Sequence, residues 1–165
     1  MQLTQSYIHV VEKINRIIFF TIAIFLAALA LILFVQVVLR YIWHSPLIWS
    51  EEVAKYLSIW VVFLGMGIAM RNMSLIAVEA VIQAVSDHIR YRIRSLVLLL
   101  VAIFMAYLVY IGIIITTEAS DQNFASMEIS MSVAYAAMPV GAFLTLLNVL
   151  VVFIELTKKD NKTWD

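Results

Sequence analysis

One dense polar constellation interrupts an otherwise apolar sequence: Gln36, Arg40, Tyr41, Trp49, Ser50, Glu51, Glu52, Lys55 and Tyr56 share one short segment. Glu51 and Lys55 stand four apart, and Glu52 and Lys55 three apart, so both can form ion pairs on one helix face. Arg40 supplies a second cation that can reach either glutamate from the segment before. Two acids set against two bases sum to zero, which makes partial burial tolerable. Such a group can clamp two chain segments together, meet a partner subunit, or contact a charged solute.

Other chemistries lack their residues. His9, His44 and His88 all lie outside the long apolar stretches, so paired axial ligands for a haem inside a bundle are missing. No Ser/His pair lies within those stretches, and no carboxylates cluster there to hold a metal. Cysteine is absent, which removes disulfide, thiol-redox and cysteine–metal chemistry. The expectation is a protein that is not an enzyme and carries no cofactor.

The elements that position the constellation are long and apolar. Of the 165 residues, 64% are hydrophobic, and the mean hydropathy is +1.00. A soluble core of this size cannot enclose that much apolar surface. Between Arg16 and Arg40, and again between Arg94 and Glu118, the chain carries no charge. Either run makes a helix of about 35 Å, enough to cross a hydrocarbon core of about 30 Å. The run from Tyr56 to Met70 is shorter, but its apolar pattern starts upstream of Lys55. Ser45–Pro46 and Ser50–Glu51–Glu52 both read as helix starts. The last run, Ile129 to Ile154, is free of charge and contains Pro139, which either kinks the helix or begins its regular part. The pattern predicts an all-α integral membrane protein, one membrane domain over 1–165 with four transmembrane helices at about 17–39, 50–71, 95–117 and 131–155. The first run is too long for the apolar core of a signal peptide and reads as an anchor.

Charge distribution orients these spans. Lys13, Arg16, Arg71, Arg90, Arg92, Arg94, Lys158, Lys159 and Lys162 fall on the terminal side, against Arg40 and Lys55 on the other. The positive-inside rule places both termini and the 72–94 connection in the cytoplasm. The opposite connection, 118–128, carries Glu118, Asp121 and Glu128 without a cation. Between spans two and three, Leu75, Val78, Val81, Ile82, Val85 and Ile89 recur at helical spacing, which predicts an amphipathic interfacial helix at about 75–89. Arg90, Arg92 and Arg94 follow it as a basic run for lipid headgroups at the membrane surface.

Inside the spans, small residues four apart mark faces where helices can approach closely: Ala23/Ala27, Gly65/Ala69 and Ala137/Gly141. Gln36 and Asn148 read as interhelical hydrogen-bonding groups. No charged residue lies near a midplane, and no pair of broken helices marks two related halves. A complete carrier made from one copy is not expected.

Arg40–Tyr41, Pro46, Trp49, Glu51–Glu52, Trp60, Phe63–Leu64–Gly65, Ala69, Arg71 and Ile76–Ala77–Val78–Glu79, in this order, resemble the small permease (DctQ-type) subunit of tripartite ATP-independent periplasmic (TRAP) transporters. The resemblance covers 40–79 in motif detail and nearly the whole chain in its span layout. Leu75 departs from it, standing where the family often has a histidine. The resemblance implies a static subunit of a sodium-coupled uptake system for an organic acid of the sialic acid or C4-dicarboxylate class. Its implied partners are a large membrane subunit that transports and a periplasmic substrate-binding protein. On that reading Arg40, Tyr41, Trp49, Glu51, Glu52, Lys55, Trp60, Gly65 and Arg71 form subunit contacts or a structural clamp. The competing reading is a stand-alone carrier or channel with its pore between copies of the chain.

Overall fold

The computed structural model describes residues 2–45, 47–82, 87–124, 126 and 129–161. Helix α1 is Gln2–Tyr41, α2 Ile48–Ile82 and α3 Asp87–Glu118; a 3-10 turn at Ala119–Asp121 follows, then a single turn α4 at Ser132–Tyr135, and α5 at Ala137–Asn161. Four of these, α1, α2, α3 and α5, are long and apolar enough to cross a membrane. Each expected span coincides with one of the four.

Helix α1 ends at a turn in which His44 takes the left-handed conformation (φ 53°) and the Ser45 N–H returns to the Leu39 carbonyl at 3.2 Å. Helix α2 begins at Ile48, between the two starts legible in the sequence; Pro46 lies outside the described residues. Ser50 sits in the first turn, where its hydroxyl donates to the Leu47 carbonyl at 2.7 Å. Past Arg71 the backbone stays helical to Ile82, so the expected 75–89 helix falls partly in the tail of α2 and partly in the start of α3. Residues 83–86 lie outside the described set.

Pro139 occupies the first turn of α5, where its missing N–H forfeits no helical hydrogen bond. It therefore begins the regular part of the last span rather than kinking it.

Helix α5 is the hub, packed along both α2 and α3, while α1 packs along α2 and crosses α5. The enclosure differs sharply. In the most apolar window of each helix, 44% of α5 residues are buried within the chain but only 6% of α1 residues. Leu98, Val149, Val152 and Leu156 form the core between α3 and α5, with Met70 and Tyr91 against them. Tyr7 donates to the Leu147 carbonyl and Asn15 pairs with Asn148. Tyr7 and Asn15 are about 12 Å apart along α1, yet their targets are neighbours on α5, so α1 crosses α5 at an angle.

Two glycines permit the closest backbone approaches. A Cβ on Gly141 would stand 2.5 Å from the Phe63 carbonyl oxygen of α2, and one on Gly112 of α3 would stand 2.8 Å from the Pro139 ring. Of the small-residue faces in the sequence, only Ala137/Gly141 packs tightly within the chain. Ala23, Ala27 and Ala69 are exposed, and a Cβ on Gly65 would meet only the tip of Ile22 at 4.0 Å. Gly141→Ala should therefore destabilise the bundle by about 1–3 kcal/mol through overpacking, with Gly112→Ala next. Gly65→Ala should be close to neutral. Thermal unfolding midpoints of the three variants in one detergent test the order, and equal midpoints would refute it.

Candidate functional site

At the end of the bundle that carries both chain termini, Arg71 holds three helices. Its Nη1 and Nη2 donate to Oε2 and Oε1 of Glu155 at 2.5 and 2.7 Å, a bidentate pair joining α2 to α5. Nη2 also reaches Glu12 of α1 at 3.4 Å. The guanidinium is mostly covered, with 19% of its side chain exposed, whereas Glu12 is 53% exposed, so the Glu155 contact is much the stronger. One layer deeper, the Asn15 and Asn148 amides donate to each other at 2.7 and 3.0 Å, and Asn148 also donates to the Leu144 carbonyl. Asn148 is fully buried. Beside the clamp opens a groove of about 730 Å³ between α1 and α2, lined by Glu12, Arg16, Phe19, Phe20, Ile68 and Arg71.

At the opposite end lies the constellation legible in the sequence, arranged differently from the ion pairs its spacing allows. Gln36 of α1 donates to Glu51 Oε1 at 3.2 Å, tying α1 to α2. Glu52 accepts from both the backbone N–H and the hydroxyl of Ser126, in the connection between α3 and α4. Phe124 of the same connection packs against Tyr56 with ring centroids 4.2 Å apart. Trp60 Nε1 donates to the Val133 carbonyl at 3.0 Å, fastening α4 to α2. The connection also folds on itself: Asn123 bridges Ser130, and the Met131 N–H donates to the Gln122 carbonyl at 2.8 Å.

Arg40 and Lys55 are exposed and form no ion pair among the described residues, in contrast to Arg71 at the other end. Tyr41 and Trp49 are exposed at the α1–α2 turn, and Gly65 faces loosely packed space. At the start of α3, Arg92 is exposed and Arg94 half-buried; of Arg90 only the backbone is described. Among the described residues no group of three or more histidines or carboxylates could hold a metal.

Both clusters are chemically alike: acceptors and donors from different helices satisfy one another. Sequence spacing missed Glu12, Asn15 and Glu155. The signal available was Arg71 itself, a cation ending a span, which requires a counter-ion from another helix. Arg71→Ala should destabilise more than Glu155→Gln, and Glu155→Gln more than Glu12→Gln. In a double-mutant cycle the Arg71–Glu155 coupling should reach about 1–2 kcal/mol, with Arg71–Glu12 below about 0.5 kcal/mol. Equal couplings would remove the distinction. Glu52→Ala should speed protease cleavage within 122–131 while the span contacts persist; an unchanged rate would mean Ser126 does not hold the connection.

Comparison with known proteins bears on what these clamps serve. Residues 29–159 match the model of the DctQ component of tripartite ATP-independent periplasmic transporters. The chain is 35% identical over 115 residues to the sialic acid TRAP transporter permease protein SiaT of Haemophilus influenzae (strain 86-028NP), covering 70% of this chain but 19% of that relative. It is 27% identical over 124 residues, 75% of this chain and 74% of the relative, to a protein of Haemophilus influenzae (strain ATCC 51907 / DSM 11121 / KW20 / Rd) provisionally named a TRAP transporter small permease protein. A match over most of its length, with four helices able to cross a bilayer, makes this a multi-pass membrane protein and a transporter component rather than an enzyme: the chain belongs to the DctQ component family of TRAP transporters.

Proposed function

We propose that this chain is the small membrane subunit of a sodium-coupled TRAP uptake system, holding a large transport subunit in a fixed frame. The observation that carries the reading is where its charges lie. They gather at the two ends of the bundle, where Arg71, Glu155, Gln36, Glu51 and Glu52 fasten helix to helix. The membrane interior is left without a charged site for a coupling ion or an anionic solute. A body built this way is stiff and has no transport chemistry of its own, so that chemistry belongs to a different chain. The long SiaT relative supports this: four-fifths of it lies outside the match, enough to hold a transport machine.

On this reading the terminal end faces the cytoplasm of a bacterial inner membrane, the opposite end meets a periplasmic substrate-binding protein, and the basic start of α3 rests on headgroups. The solute is an organic acid, with sialic acid favoured over a C4-dicarboxylate by the name of that relative. Purification of the tagged chain in mild detergent, followed by reconstitution into liposomes, tests it. The expected outcome is a stoichiometric, larger polytopic partner, and sodium-dependent uptake of sialic acid that needs both subunits and the binding protein. Uptake by this chain alone would instead establish a homo-oligomeric carrier.

A further inference from the structure

Within hydrocarbon a polar group cannot turn to water, so each must find a partner in protein. Most span hydroxyls here return to their own helix: Thr21 to Ile17, Ser58 to Ala54, Thr116 to Gly112 and Thr145 to Gly141. Tyr107 and Tyr110 of α3 do not. They are 59% and 63% exposed, and neither hydroxyl makes a hydrogen bond among the described residues. A phenol oxygen lies too far out on its ring to turn back on its own helix.

Their depth makes this costly. Tyr107 stands nearly midway between Arg94 and Glu118, the nearest charges along the chain. It is therefore about 20 and 17 Å from them along the axis, at the middle of the span. Tyr110, one turn on, is about 12 Å from Glu118. Helical side chains lean towards the N-terminus, so the Tyr107 phenol stays near the bilayer centre and the Tyr110 phenol points away from the nearer surface and deeper into the bilayer. Tyrosine ordinarily sits at the membrane–water interface, where its hydroxyl is wet. The exposed face of α1 has no such problem: Phe19, Phe20, Ile24, Leu31 and Phe34 are apolar and suit acyl chains directly.

We propose that the Tyr107–Tyr110 face of α3 docks a membrane-spanning helix of the large permease subunit, one that presents hydrogen-bond acceptors near the bilayer centre. The inference rests on the reading that such a subunit exists. Arg92, Leu96, Leu99, Ile103, Tyr107 and Tyr110, spaced three or four apart and all exposed, form a continuous stripe on α3. The stripe sets the chemistry of its occupant. Apolar residues face Leu96, Leu99 and Ile103, and acceptors such as Ser, Thr, Asn or a free carbonyl face the two phenols. A large partner rather than a second copy fits the SiaT relative, in which one matched segment adjoins a remainder about four times as long.

A photoreactive benzophenone amino acid placed at Tyr107, with a control at Ile24 on α1, tests this in the complex purified from its native membrane. The expected result is a Tyr107 adduct to the co-purifying polytopic partner, mapped by mass spectrometry to one of its spans, with Ile24 giving lipid adducts or none. The Tyr107→Phe/Tyr110→Phe double variant, which keeps both rings, should lower retention of the partner on the order of three- to tenfold, as two membrane hydrogen bonds imply. Stability of the isolated chain should not fall. An adduct of twice this chain's mass would assign the face to a second copy, and lipid adducts alone would assign it to the bilayer; either overturns the proposal. A partner that co-purifies but cross-links only through Ile24 would sink this inference and leave the subunit reading standing. Absence of any large partner would sink both.

Discussion

The backbone of α5 touches that of α2 at Gly141, where the Phe63 carbonyl occupies the space a side chain would need. Between membrane helices there is no hydrophobic gain in leaving lipid, so association depends on dispersion contacts and therefore on close approach. That requirement orders the rest of the bundle. Pro139, pressed against Gly112, brings α3 to the other side of the same helix, so α5 is enclosed from two directions. Its inward positions can then be small or polar without exposure to lipid: Ala137, Ala142, Thr145 and Asn148 are all buried.

Helix α1 has no glycine seam onto α5 and is held by other means. Asn15 reaches Asn148, Gln36 reaches Glu51, Tyr7 reaches a carbonyl of α5, and Arg71 bridges Glu12 and Glu155. Each bond is modest alone, but their placement at both ends of α1 opposes swinging about the crossing point. The ionic contacts lie at the ends of the helices, where snorkelling and headgroup water reduce the desolvation of a charge. An uncharged amide pair takes the deeper position. This gradient, ion pairs at the rim and amides within, follows the cost of a charge in lipid, which falls towards the headgroups.

Much of this was legible in the sequence because it is local. Span positions follow from the spacing of charges, and the roles of Gln36 and Asn148 from the cost of an amide inside a span. Contacts between distant segments were not legible. Nothing in the spacing around Glu12 or Glu155 points to Arg71, because the crossing of α1 over α5 is set by packing between helices. Small-residue patterns misled for the same reason: Ala23/Ala27 has the same spacing as Ala137/Gly141, yet only the second meets another backbone. Gly112 has no glycine or alanine four positions away and was silent, although it carries one of the two closest contacts. Around Glu51, Glu52, Arg40 and Lys55, helical spacing favoured local ion pairs, but acceptors on a rigid helix were taken by donors from other segments, Gln36 and Ser126.

The unequal enclosure of the helices also bears on how a small membrane protein advertises a partner. In water, an exposed apolar face as large as that of α1 would demand a cover. In hydrocarbon it demands nothing, because acyl chains solvate phenylalanine and leucine as well as protein does. Exposed area is therefore a poor guide here, and 6% burial of the α1 window is compatible with plain lipid contact. An unsatisfied polar group is the better guide, since lipid cannot supply its hydrogen bond. On that criterion the exposed hydroxyls of α3 weigh more than the whole apolar length of α1.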